Sequence, residues 1–138
     1  MLRHSGSCLR TMTRKAITTP KSKPIGSYSA AVASGDYVHI SGQIPLDAAT
    51  GKLVEGDIAA QAKQCLENLK AILEAAGLGF GQVVKTTIFL MDLGDFQAVN
   101  GVYASYMSEP YPARSTIQVA GLPMGARVEI EMIAYAGK

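Results

Sequence analysis

The sequence predicts an α+β domain in which a mixed β-sheet carries two helices on one face. Two stretches have apolar residues at helical spacing, one from Ile58 to Ala76 and one from Phe96 to Tyr106. Runs of alternating or β-branched residues flank and separate them, namely Tyr37 to Ser41, Val83 to Leu90 and Val128 to Tyr135. The 138 residues, 48% of them hydrophobic, suit one domain with its own core.

In chain order, residues 16–27 form an extended arm punctuated by Pro20 and Pro24. Tyr28 to Val32 is expected as a short strand, Ser34-Gly35-Asp36 as a turn and Tyr37 to Ser41 as a second strand ending at Gly42, together a hairpin. The loop from Pro45 to Gly56 is rich in turn residues. Asp57 is placed to cap the first helix, and Gly77 to end it. Cys65 lies on that helix's apolar stripe, as a small buried hydrophobe would. Gln82 to Met91 reads as a central strand covered on both sides, and Asp92 to Asp95 as a turn and cap. The second helix ends before Pro110. The segments from Pro112 and from Val128 are expected as two strands closing the chain as a hairpin.

Alternation in the last strand puts Val128, Ile130, Met132 and Ala134 on one face, toward the helices. Arg127, Glu129, Glu131, Ile133 and Tyr135 then lie on the other face. Two helices cover only one side of such a sheet, so the opposite side needs a partner. Another copy of the chain is the simplest, with sites where subunits meet.

The net charge of +2 conceals a division. Residues 1–23 hold six of the 13 basic residues and no acid, which leaves seven against all 11 acids, a balance of −4 for the remainder. A mildly acidic body argues against a broad phosphate-binding surface, so no nucleic-acid partner is expected. The stretch from Met1 to Lys15 is rich in Arg, Ser and Thr and free of acids, which matches a mitochondrial presequence. Residues 1–15 are accordingly expected to target the matrix, and residues 16–138 to form a single domain. No apolar run approaches the roughly 20 residues of a membrane helix. There is no Gly-rich phosphate loop and no cluster of metal ligands, so neither cofactor nor metal is expected.

Pro112-Ala113-Arg114 enters its strand rigidly, which suits Arg114 to offer a planar fork of donors to a carboxylate. That carboxylate could belong to Glu129 or Glu131 in a structural ion pair, or to a small ligand. Glu131 could instead pair with Arg127 or Lys85. His39, alone in its strand, reads as structural.

Seven segments together resemble the RidA (YjgF) family, in its order and spacing. They are Ile25-Gly26-Ser27-Tyr28, Ile40-Ser41-Gly42-Gln43-Ile44-Pro45, Ala75-Ala76-Gly77-Leu78, Val84-Lys85-Thr86-Thr87, Phe96-Gln97-Ala98-Val99-Asn100, Pro112-Ala113-Arg114-Ser115 and Val128-Glu129-Ile130-Glu131. The resemblance runs from about residue 16 to Lys138, and with the presequence it looks like the family's mitochondrial branch. It implies a chorismate-mutase-like fold, a homotrimer with ligand sites between subunits, and hydrolysis of 2-imino acids such as 2-iminobutanoate and 2-iminopropanoate to 2-oxo acids and ammonia. In the family the motif arginine binds the substrate carboxylate and the motif glutamate orients water, which implies those roles for Arg114 and Glu129. Tyr28, Ser41, Gly42 and Asn100 match pocket positions. Thr116 stands where many members have cysteine; the family reaction is thought to use the backbone there, which implies that threonine is tolerated. A non-enzymatic trimer binding 2-oxo acids or partner proteins is the alternative.

Overall fold

The computed structural model describes residues 13–137. The expected presequence therefore lies, up to Met12, outside the described residues. The described residues form one six-stranded sheet with two helices on one face. Its strands are β1 (Lys15–Ile17), β2 (Ala31–Ser34), β3 (Tyr37–Gln43), β6 (Val83–Leu90), β7 (Ala113–Gln118) and β8 (Val128–Tyr135), in the order β1-β2-β3-β8-β6-β7. A ribbon of β4 (Leu46–Asp47) and β5 (Lys52–Leu53) fills the loop before helix α1 (Ile58–Ala75), and α2 (Phe96–Tyr106) follows β6.

Helix α1 begins where Asp57 accepts a hydrogen bond from the Ala60 amide at 2.9 Å. It stops where Gly77 takes a φ of 76°, a conformation that any side chain would strain. Its buried stripe of Cys65, Leu66, Leu69, Ile72 and Leu73 packs on Val128, Ile130, Met132 and Ala134 of β8 and on Ile88 and Leu90 of β6. Cys65 is fully buried and burial pushes its thiol pKa up, so it is inert packing. The β2–β3 hairpin turns at Gly35 and Asp36 as expected, with Ser34 opposite Tyr37.

Three expectations are corrected. The closing strands do not form a hairpin: β7 pairs parallel with β6, and β8 inserts antiparallel between β3 and β6. Residues 119–127 carry the chain past β6, so strands adjacent in sequence become next-but-one neighbours in space. β6 is internal, but only Val83, Thr86, Ile88 and Leu90 are buried; Lys85, Thr87 and Phe89 are half-open on the other face. Tyr28 precedes β2 in a bend instead of lying in a strand.

Candidate active site

Two groups of the expected site residues form, and the sheet separates them. The first gathers at the β7 edge on the helix side. Arg114 stands opposite Thr86, whose buried hydroxyl shares a 2.8 Å hydrogen bond with the Tyr103 hydroxyl of α2. The Arg114 guanidinium carbon lies 4.9 Å from the centre of the Tyr103 ring and 5.3 Å from that of Phe96. Its Nη1 donates to Asn100 Oδ1 at 2.7 Å. Phe96, Asn100 and Tyr103 recur at i, i+4 and i+7, one face of α2, and this cradle aims the guanidinium while leaving donors over. A groove of ≈ 400 Å³ opens beside it, lined also by Ala104, Tyr111 and Pro112.

Thr116 follows Arg114 on the same face of β7, opposite Ile88. Its hydroxyl is buried and has no hydrogen-bond partner among the described residues.

The second group lies on the far side of the sheet. Glu129 stands opposite Phe89, on the face that the helices leave open. Its carboxyl pKa is raised, first by burial and then by the neighbouring charge of Glu131. The β3–β8 register slips between Ile40 and Gln43, and within that slip Gly42 lies under the Glu129 side chain. A Cβ at Gly42 would overlap Glu129 Oε2 and come within 2.8 Å of its Cδ, so only glycine leaves the carboxylate its place. Ser41 fixes the neighbouring backbone by donating to the Ser29 carbonyl at 2.6 Å. Tyr28 and Gly42 line one cavity, and the Tyr28 hydroxyl accepts from the Ile25 amide at 3.3 Å.

The intrachain ion pair between Arg114 and either glutamate is thereby overturned. Arg114 shares its face with Thr86 and Glu129 shares the opposite face with Phe89, so β6 stands between them. Arg127 pairs instead with Asp95 at 3.3 Å. Phe96 and Tyr103 do pack on the apolar side of α2, as their helical spacing implies, and the same spacing relative to Asn100 is the signal that they also cradle Arg114. The cavity walls near Tyr28 had no comparable signal.

Residues 18–136 match the family model described as Endoribonuclease L-PSP. The chain is 54% identical over 131 residues to Protein DfrA of Myxococcus xanthus, covering 93% of this chain and 100% of that one. It is 46% identical over 130 residues to the human 2-iminobutanoate/2-iminopropanoate deaminase, covering 94% and 95%. Among solved structures, E. coli TdcF with bound serine superposes with a TM-score of 0.84 at 42% identity, covering 89% of this chain and 99% of that one.

Proposed function

Because the chain belongs to the Endoribonuclease L-PSP family, also called RidA/YjgF, we propose that it hydrolyses small 2-imino acids, 2-iminobutanoate and 2-iminopropanoate among them, to 2-oxo acids and ammonia. The observation that carries this reading is the division of the site: a cation cradled on one face and a free carboxylate over a glycine on the other. Neither half is a complete site. A closed ring of three copies, each laying its open sheet face against the next, would bring one copy's Arg114, Asn100 and Thr116 to its neighbour's Tyr28, Ser41, Gly42 and Glu129. The open face offers apolar area for such contact, with Tyr37, Val84 and Ile117 each more than two-fifths exposed.

The chemistry follows from the charges. A protonated imino acid is electrophilic at C2, and R–C(=NH2⁺)–COO⁻ with water gives R–CO–COO⁻ and NH4⁺. Arg114 holds the carboxylate through paired N–H donors and so fixes where C2 lies. Glu129 takes a proton from the attacking water and passes it to nitrogen. As ammonia leaves, the hydroxyl gives its own proton back to Glu129 and becomes a carbonyl, and ammonia takes that proton to become ammonium. No redox or phosphate step enters, and the reading calls for no cofactor. The ribonuclease named in the family's description would need cations along a polyanion, whereas residues 24–138 carry −4.

The test is direct. Purified protein added to a pyridoxal-phosphate threonine dehydratase reaction is expected to hasten release of 2-oxobutanoate; an unchanged rate favours the purely binding role. Residues 1–15 are proposed to deliver the chain to the mitochondrial matrix, tested by fusing them to a reporter. Lys15 already pairs with Ala33 in the sheet, so a cut after Lys15 would trim β1 by one residue.

The raised pKa of Glu129 in the free protein is expected to set the acid limb of kcat/KM. The base is active only when ionised, hence kcat/KM falls as pH drops through a value above the ordinary carboxylate range. Glu131→Gln removes the neighbouring charge and is expected to move that limb to lower pH. Stability runs oppositely: a carboxyl with a raised folded-state pKa favours folding while protonated, and this contribution is lost as pH rises through that pKa. Glu129→Gln is therefore expected to raise the melting temperature at neutral pH and to leave it unchanged in acid.

A further inference from the structure

Beside Gly42 lies a cavity of ≈ 210 Å³, roofed by the arm from Lys21 to Ile25 and walled by Tyr28, Ala30, Ile44 and Leu46. Its polar wall groups are already paired. Asn68 Nδ2 donates to the Ile44 and Leu46 carbonyls at 3.2 and 2.9 Å, and its Oδ1 accepts from Gln64 at 2.8 Å. Gln43 accepts from the Ser22 hydroxyl at 2.8 Å and donates to the Ser41 carbonyl at 3.1 Å. The Ser22–Gln43 bond also pins the arm over the cavity. What remains for a guest is an apolar chamber with two ammonium groups, those of Lys21 and Lys23, on the residues that roof it.

We propose that this chamber receives the side chain of the imino acid and makes the enzyme prefer apolar side chains larger than methyl or ethyl. The proposal rests on the deaminase reading, and on Gly42 belonging at once to the chamber, which Tyr28 also lines, and to the Glu129 half of the site. A dry cavity of about 150 Å³ holds a benzene molecule. The side chain of 2-iminopropanoate, one methyl, would leave most of this chamber unfilled, whereas isobutyl, methylthioethyl or benzyl groups match it. Each methylene buried there favours the complex roughly fourfold. Lys21 and Lys23 disfavour a cationic side chain by like charge.

An amino-acid oxidase with catalase supplies imino acids from alanine, leucine, phenylalanine and lysine, and release of 2-oxo acid above the spontaneous rate is followed. The expected kcat/KM for the leucine-derived substrate exceeds that for the alanine-derived one by on the order of tenfold or more, with the lysine-derived substrate poorest. Ala48 lines the chamber from an exposed loop, so Ala48→Phe fills it without touching the core. That variant is expected to bring the leucine-to-alanine ratio to about one, and Ile25→Ala, which removes apolar wall at an exposed position, to lower it severalfold. Equal rates on the leucine- and alanine-derived substrates, or a preference that survives in folded Ala48→Phe protein, would overturn the proposal. Absence of turnover on every imino acid would sink the deaminase reading instead. The chamber is then tested by calorimetry with pyruvate and 4-methyl-2-oxopentanoate: tighter binding of the longer acid, lost in Ala48→Phe, supports it, and equal binding refutes it.

Discussion

Replacing Arg114 with alanine lowers kcat/KM toward 2-iminobutanoate by about 10²–10⁴-fold while the fold stands. The magnitude follows from two charge-assisted hydrogen bonds to the substrate carboxylate, each worth roughly 1.5–3 kcal/mol. Little stability goes with them. Arg114 is exposed on an edge strand, and its hydrogen bond to Asn100 is at the surface, so thermal unfolding shifts little. Arg114→Lys keeps the charge but loses the planar fork that Asn100 orients, and recovers only part of the rate. Near-wild-type turnover by folded Arg114→Ala protein would show that the carboxylate is held elsewhere.

Gly42→Ala is expected to be almost as damaging to activity, again without unfolding the chain. The added Cβ meets the end of the flexible Glu129 side chain, which can swing away, so the backbone need not move. The carboxylate is then evicted from the one place where it can act on water. The rate should fall toward that of Glu129→Gln, a loss of roughly 10²–10⁴-fold for a displaced general base. Combining Gly42→Ala with Glu129→Gln should add little further loss, because both remove one function. Full additivity of the two losses would mean that Gly42 serves the reaction by some route other than Glu129.

Much of this arrangement was legible in the residues, and what was hidden had physical causes. Helical spacing found α1 and α2, and Asp57 and Gly77 marked the limits of the first, because capping and apolar periodicity are local. Alternation in β8 assigned Val128, Ile130, Met132 and Ala134 to the core and Glu129 to the open face. Strand order was not local. Nothing in 119–127 announces that β8 leaves β7 behind and seats itself between β3 and β6. That one fact turned a plausible Arg114–Glu129 ion pair into two half-sites on opposite faces. The apparent burial of β6 on both sides has a related origin. Its Thr87 and Phe89 suit a covered face, and among the described residues no helix covers it. Gly42 matched a motif, yet its reason appeared only when the register slip placed it beneath a carboxylate.

Mixing two inactive variants tests the shared site most directly. Arg114→Ala and Glu129→Gln protein, each confirmed folded, are unfolded together, refolded and assayed on 2-iminobutanoate beside either variant alone. If every site takes its guanidinium from one copy and its carboxylate from the next, random closed rings regain about one quarter of wild-type sites. A mixture that demonstrably forms mixed rings and stays as inactive as its components would contradict the account.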